Sequence, residues 1–293
     1  MYEIIQGDVV EALQGLRPEG VQCCVTSPPY WGLRDYGTEG QIGLESTPQE
    51  YVEKMVEVFG EVRRVLRDDG TLWLNIGDSY SQGGYDFGMK PKDLCLIPYR
   101  LILALQDDGW WVRSQIVWAK KSAMPESVRD RPTSAWEPIF LLTKSQKYYY
   151  DAEAVRQGLD GNPDIRSRAS TFAQQSQTGN HGQGAETIST VGANLRNVWH
   201  LGPEPFPDAH FATFPTEIPR RAIMAGSKKG DTVLDPFLGS GTTCVVANQL
   251  ERDSIGIELS PEYAEMAEKR IQGDLSVTRR KNTEGTQFTL QMM

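Results

Sequence analysis

At 293 residues, 39% hydrophobic and 24% charged, the chain is long enough for a large core and allows one or two domains. A formal net charge of −9 argues against broad nonspecific binding to nucleic acid, and no stretch approaches the uncharged apolar run of a membrane span. The four cysteines form no Cys-x-x-Cys pair and the three histidines are scattered, so neither a disulfide framework nor a metal site is expected. The opening Met-Tyr-Glu-Ile-Ile reads directly as a strand with no leader, which leads to the expectation of a cytoplasmic protein with reduced, buried cysteines.

Taken in chain order, Glu3–Gln6 alternates as a first strand, and Asp8 can N-cap a helix over Val9–Leu16. A second strand, Gln22–Thr26, stops on Ser27-Pro28-Pro29-Tyr30. Proline lacks an N–H and biases its predecessor towards an extended shape, so the chain must leave the sheet rigidly there. It presents a hydroxyl, a carbonyl and an aromatic face. A planar heterocycle with an exocyclic amine can stack on Tyr30 while Ser27 and the Pro28 carbonyl accept its N–H hydrogens; a turn closing a strand is the plainer reading of Pro-Pro-Tyr alone.

Tyr51, Met55, Val58, Phe59, Val62 and Leu66 share a helical face that Asp68-Asp69-Gly70 ends, and Thr71–Ile76 follows as a strand. Leu94–Leu105 repeats the helix, again closed by Asp-Asp-Gly, before strands at Val112–Ala119 and Ile139–Thr143. Residues 157–197 break this pattern: Ser170 to Gly184, rich in Gln, Ser, Thr and Gly, can bury little apolar surface. A helix from Glu217, a strand Thr232–Asp235, a helix Cys244–Leu250, a strand Ser254–Glu258 and a helix Pro261–Gln272 complete the chain. Strands alternating with helices predict an α/β fold with a doubly wound, mostly parallel sheet covered on both faces.

The turn Asp235-Pro236-Phe237-Leu238-Gly239-Ser240-Gly241-Thr242-Thr243 lacks both the third glycine of dinucleotide sites and the Gly-Lys-Ser/Thr of a phosphate loop. An acidic strand end suits a cationic ligand better than a pyrophosphate. Glu258, about 20 residues on, ends the next strand where ribose hydroxyls are usually held. Two neighbouring acidic strand ends read as a nucleoside site with a positive centre. Charge is uneven as well. Residues 1–112 carry 9 basic and 18 acidic groups, 113–200 carry 11 and 8, and 201–293 carry 10 and 13, which places a modest basic island in the middle of an acidic chain.

Together these stretches resemble the amino-group DNA methyltransferases that use S-adenosylmethionine, in the subclass whose catalytic motif precedes its cofactor motif. Further matches are Ile4-Ile5-Gln6-Gly7-Asp8, Gly70 to Asp78, Ile116 to Lys120 and His210 to Pro215, and the resemblance covers most of the chain outside roughly 146–197. Ser-Pro-Pro-Tyr is typical of cytosine-N4 enzymes and Asp- or Asn-Pro-Pro-Tyr of adenine-N6 enzymes, which tilts the reading to cytosine with adenine as the alternative. The resemblance implies a Rossmann-like class I methyltransferase fold in circularly permuted order. Residues 1–145 would be its catalytic half, 146–197 a target-recognition insertion and 198–293 its cofactor half.

It further implies S-adenosyl-L-methionine as cofactor, double-stranded DNA with a specific target as substrate, and base flipping. A cognate restriction endonuclease, a monomer or homodimer, and a bacterial, archaeal or phage source are compatible with it. Catalysis falls to Ser27, Pro28, Pro29 and Tyr30. Asp8 would accept from the adenine amino group, with the N-cap as alternative; Asp235 would lie by the methionine moiety and Glu258 on the ribose. Thr213, Phe214, Phe237, Gly239, Ser240, Gly241 and Thr242 would line the cofactor pocket, Thr213 and Phe214 being equally suited to stapling the next helix. Arg156, Arg166, Arg168 and Arg196 match groove readers. Trp136-Glu137-Pro138 is a weak candidate for closing the target pocket.

Overall fold

A computed structural model describes residues 1–35, 37–81, 89–157, 192–202, 204 and 214–274. Among the described residues, eight strands form one sheet: β1 (Tyr2–Gln6), β2 (Val21–Thr26), β3 (Leu66–Asn75), β4 (Trp111–Lys120), β5 (Trp136–Thr143), β6 (Val198–Leu201), β7 (Thr232–Asp235) and β8 (Asp253–Glu258). Their order is β1-β8-β7-β2-β3-β5-β4-β6. Every neighbouring pair is parallel except those made by β5, which runs antiparallel to both β3 and β4.

Helices cover both faces, as buried strands require. On one side α1 (Val9–Gly15), α2 (Pro48–Val65) and α3 (Ile97–Asp107) bury Leu13, Tyr51, Phe59 and Leu101 against Cys24, Leu72, Leu74 and Phe140. On the other, α4 (Glu217–Gly226) and α5 (Thr242–Gln249) pack Ala222, Ile223 and Val246 on Cys23, Val25 and Trp73. A last helix, α6 (residues 261–274), closes this side with Ala267 and Ile271 on Leu238 and Val245. The adjacent Cys23 and Cys24 thus serve opposite cores, as the two-residue period of a strand dictates. All four cysteines are buried and unpaired.

Three differences from the sequence reading stand out. A capping box between Thr47 and Glu50, with Pro48 in the first turn, starts α2, but it ends at Val65 because Leu66 already pairs with Val21 as the first residue of β3. Leu96 takes a left-handed conformation (φ 57°) ahead of Pro98, so α3 begins at Ile97 rather than Leu94. The unforeseen strand β6 runs parallel to β4 at the sheet edge, with Trp199 buried between exposed Val198 and His200.

Within 146–197, residues near the first end are tied to the rest of the fold. Tyr149 and Asp151 donate backbone hydrogen bonds to Asp69 and Ala225, and Val155 joins the core. Gln157 and Ala193 exchange two backbone hydrogen bonds, of 2.9 and 2.7 Å, at the neck. Arg156 bonds the Glu153 carboxylate and the Gly192 carbonyl, so it clasps that neck. Arg166, Arg168 and the stretch Ser170 to Gly184 lie outside the described residues.

What positions a site is the crossing pattern. From β7 the chain passes through α5 to β8 on one side; from β2 it passes through α2 to β3 on the other. Adjacent parallel strands whose connections diverge leave a crevice beyond their carboxyl ends, the usual ligand position in open α/β sheets.

Candidate active site

A cavity of about 400 Å³ opens at that crevice. The end of β2 contributes Ser27, Pro28, Pro29 and Tyr30. The turn after β7 contributes Phe237, Gly239, Ser240 and Thr242, while Asp8 follows β1 and Glu258 ends β8. Phe214 also lines the cavity. Asp235 and Gly241 do not reach its wall, and Thr213 lies outside the described residues.

The cofactor-like half is built from backbone amides and carboxylates. Glu258 accepts from the Gly239 N–H at 2.8 Å and the Ser260 N–H at 2.9 Å, tying the glycine turn to β8 while burial raises its carboxyl above the ordinary value. Gly239 (φ 52°) leaves open space where a Cβ would stand, whereas a Cβ on Gly241 (φ 82°) would come within 3.0 Å of Ala267 Cβ. From α6, Arg270 clasps this turn by donating to the Ser240 carbonyl and to the Ser240 and Thr242 hydroxyls. Asp8 caps α1, its Oδ1 accepting from Val10 and Glu11, and still lines the cavity.

Asp235 lies beneath the turn and not in the cavity wall. Its side chain is 2% exposed beneath the turn, where Oδ1 accepts from Thr26 Oγ1 at 2.7 Å and from the Phe237 N–H at 3.1 Å. Burial pushes its carboxyl up to about 6, with the Thr26, Thr243 and Phe237 hydrogen bonds opposing the shift. It therefore joins the cofactor turn to the strand end that carries Ser27.

Around Tyr30 lies a network the sequence reading largely missed. The Tyr30 hydroxyl donates to Glu137 Oε2 at 2.8 Å, with Asn75 Oδ1 at 3.3 Å, and Ser27 Oγ donates to Tyr30 at 3.2 Å. Glu137 is ion-paired with Lys120, and both line the cavity with Asn75. Burial first, and then the Glu137 charge, raise the Tyr30 phenol well above its usual value, so it stays a neutral hydroxyl. Tyr51 donates to the Pro29 carbonyl at 2.9 Å from the helix face below, fixing the loop. The ring itself lies against Gly77, where a Cβ would fall 2.4 Å from Tyr30 Cε2. The available signal was charge: Lys120 ends β4 and Glu137 is the second residue of β5, and only antiparallel pairing brings those ends together.

Fold and cavity thus define an α/β protein with one cleft lined both by the glycine turn with Glu258 and by the polar groups around Tyr30. Residues 21–269 match the DNA methylase family of N6 and N4 methyltransferases. The chain is 47% identical over 291 residues to Type II methyltransferase M.Cfr9I of Citrobacter freundii, covering 92% of this chain and 88% of that protein. Among solved structures, PvuII DNA methyltransferase (cytosine-N4-specific) matches with a TM-score of 0.67 at 20% identity, over 93% of this chain and 90% of that one. TTHA0409 of Thermus thermophilus, complexed with S-adenosyl-L-methionine, matches with 0.64 at 23% identity, over 94% of each chain. The chain belongs to the DNA methylase family. It is a DNA methyltransferase, and the methyl donor of its family is S-adenosyl-L-methionine.

Proposed function

We propose that the protein is a type II modification enzyme that methylates the N4 amino group of cytosine within a specific duplex sequence, paired with a cognate restriction endonuclease. The observation that carries this reading is Ser27 at the tip of β2, its hydroxyl facing the same cavity as the glycine turn and Glu258. The open space over Gly239 and the Glu258 carboxylate fit a nucleoside with hydroxyls to bind, and Asp8 and Phe214 line the same cavity. When bound, S-adenosyl-L-methionine supplies a methyl group on a sulfonium leaving group, so the protein's task is chiefly positioning.

An exocyclic amine is a poor nucleophile because its lone pair is delocalised into the ring. Ser27 Oγ and the Pro28 carbonyl accept its two N–H hydrogens and favour a pyramidal nitrogen whose lone pair points at the methyl group. The base must first leave the duplex, and the Tyr30 ring offers a face to offset the stacking it loses. Asp235 adds negative charge beneath the turn. Residues between Gln157 and Ala193 read the target sequence, and the enzyme acts in the cytoplasm as a monomer or homodimer. Methylating DNA with the purified protein and digesting it to nucleosides is the decisive experiment. N4-methylcytosine is expected; N6-methyladenine would establish the alternative chemistry of the same family.

A further inference from the structure

We propose that Glu137 is a positioning residue that sets the hydrogen-bond direction of Ser27, acting through Tyr30. The inference rests on the reading of Ser27 as the acceptor for the target amine. A hydroxyl can donate or accept, and only an accepting Ser27 helps the reaction. A donating Ser27 would bond to the amine's lone pair, the pair that must attack the methyl group.

The network leaves Tyr30 one choice. Its single hydroxyl hydrogen faces two oxygens, Glu137 Oε2 at 2.8 Å and Asn75 Oδ1 at 3.3 Å. Glu137, ion-paired with Lys120, is an ionised carboxylate and can only accept. The Asn75 amide is oriented by its Nδ2, which donates to the Pro138 carbonyl at 3.1 Å and lies 3.4 Å from Glu137 Oε2, so its oxygen is turned to Tyr30. Tyr30 therefore donates outward, and its oxygen accepts from Ser27 Oγ at 3.2 Å. The one Ser27 hydrogen is committed to Tyr30, and its lone pairs are left for the amine. Glutamine at 137 would break this polarity, because its amide can donate to Tyr30 and allow the whole chain to reverse.

Single-turnover methyl transfer and cofactor titration of Glu137→Gln, Tyr30→Phe, the double variant and Ser27→Ala form the test. Glu137→Gln should slow transfer by at least about tenfold while S-adenosylmethionine affinity stays within about twofold of the parent. Tyr30→Phe keeps the ring, cuts the link and should slow transfer similarly. The double variant should be no slower than Tyr30→Phe alone, since the two act in series. Glu137→Asp, which keeps a carboxylate, should recover part of the rate. Independent, multiplying losses in the double variant, or a parental rate in Glu137→Gln, would overturn the inference while leaving the Ser27 reading intact if Ser27→Ala is slow. A parental rate in Ser27→Ala would remove that reading and this inference together. Should Glu137→Gln fail to fold, a parental rate in Tyr30→Phe overturns the proposal by itself.

Discussion

Asp235 sits where a carboxylate is costly, and the cost has a measurable sign. Its carboxyl is raised from 3.8 to about 6 by burial, so between those values the folded state holds a proton that the unfolded chain has released. Its contribution to stability is therefore complete below about pH 4 and is lost as pH rises through 6, a loss on the order of 3 kcal/mol at neutral pH. Asp235→Asn keeps Oδ1 for Thr26 and Phe237 and removes the charge. At pH 7.5 the variant should be more stable than the parent by roughly 1–3 kcal/mol, the gain shrinking towards pH 4, yet bind S-adenosylmethionine more weakly. Urea unfolding at three pH values, with calorimetric cofactor titration, checks both halves; identical midpoints throughout would contradict the first. The neighbouring Ser27 behaves oppositely. Ser27→Ala should cost about 2–3 kcal/mol in the methyl-transfer barrier with cofactor affinity nearly unchanged, and a parallel loss of affinity would move Ser27 out of its proposed role.

At the scale of elements, the loop after β3 is shaped to the Tyr30 ring. A Cβ on Gly77 would lie 2.4 Å from Tyr30 Cε2 and 2.7 Å from Cδ2. Gly77→Ala should therefore displace the ring, lowering stability by about 1–3 kcal/mol and methyl transfer by more than that loss accounts for. Thermal unfolding and single-turnover rates on the same preparation distinguish the two, and a parental rate would show that the ring need not stay put. The strand carrying Ser27 and the turn carrying Gly239 were legible because prolines and glycines there impose backbone shape locally. The direction of β5 was not legible, because nothing in Trp136–Thr143 itself says which way its partners run. The Lys120–Glu137 pair was hidden with it: if β4 and β5 were parallel, those residues would stand at opposite ends of the sheet. The four-residue β6 offered only one buried tryptophan, too little pattern to tell from a loop.

At the scale of the whole molecule, the two ends of the chain build one half of the cavity together, and the segment between Gln157 and Ala193 is attached through a closed neck. That separation makes the insertion removable in principle. Deleting residues 170–184 should leave S-adenosylmethionine binding intact and abolish or relax site specificity, read by cofactor titration and by sequencing the methylated bases of a host expressing the variant. An unchanged methylated motif would show the segment to be a passive loop. Permuted order was visible in the sequence because each motif kept its own strand-turn-helix grammar. The anchoring of Tyr149, Asp151 and Val155 was not, because their backbone partners and core neighbours are distant in the chain.

The interleaving β1-β8-β7-β2 also has a temporal meaning. Translation delivers Ser27 and Tyr30 early, but the strands that must flank β1 and β2 are among the last described elements to leave the ribosome. Until Thr232–Asp235 and Asp253–Glu258 arrive, β2 lacks one neighbour and the cavity lacks the wall formed by the glycine turn and Glu258. A nascent chain that stops before β8 thus carries the groups proposed to receive a base but lacks the wall proposed to hold the donor.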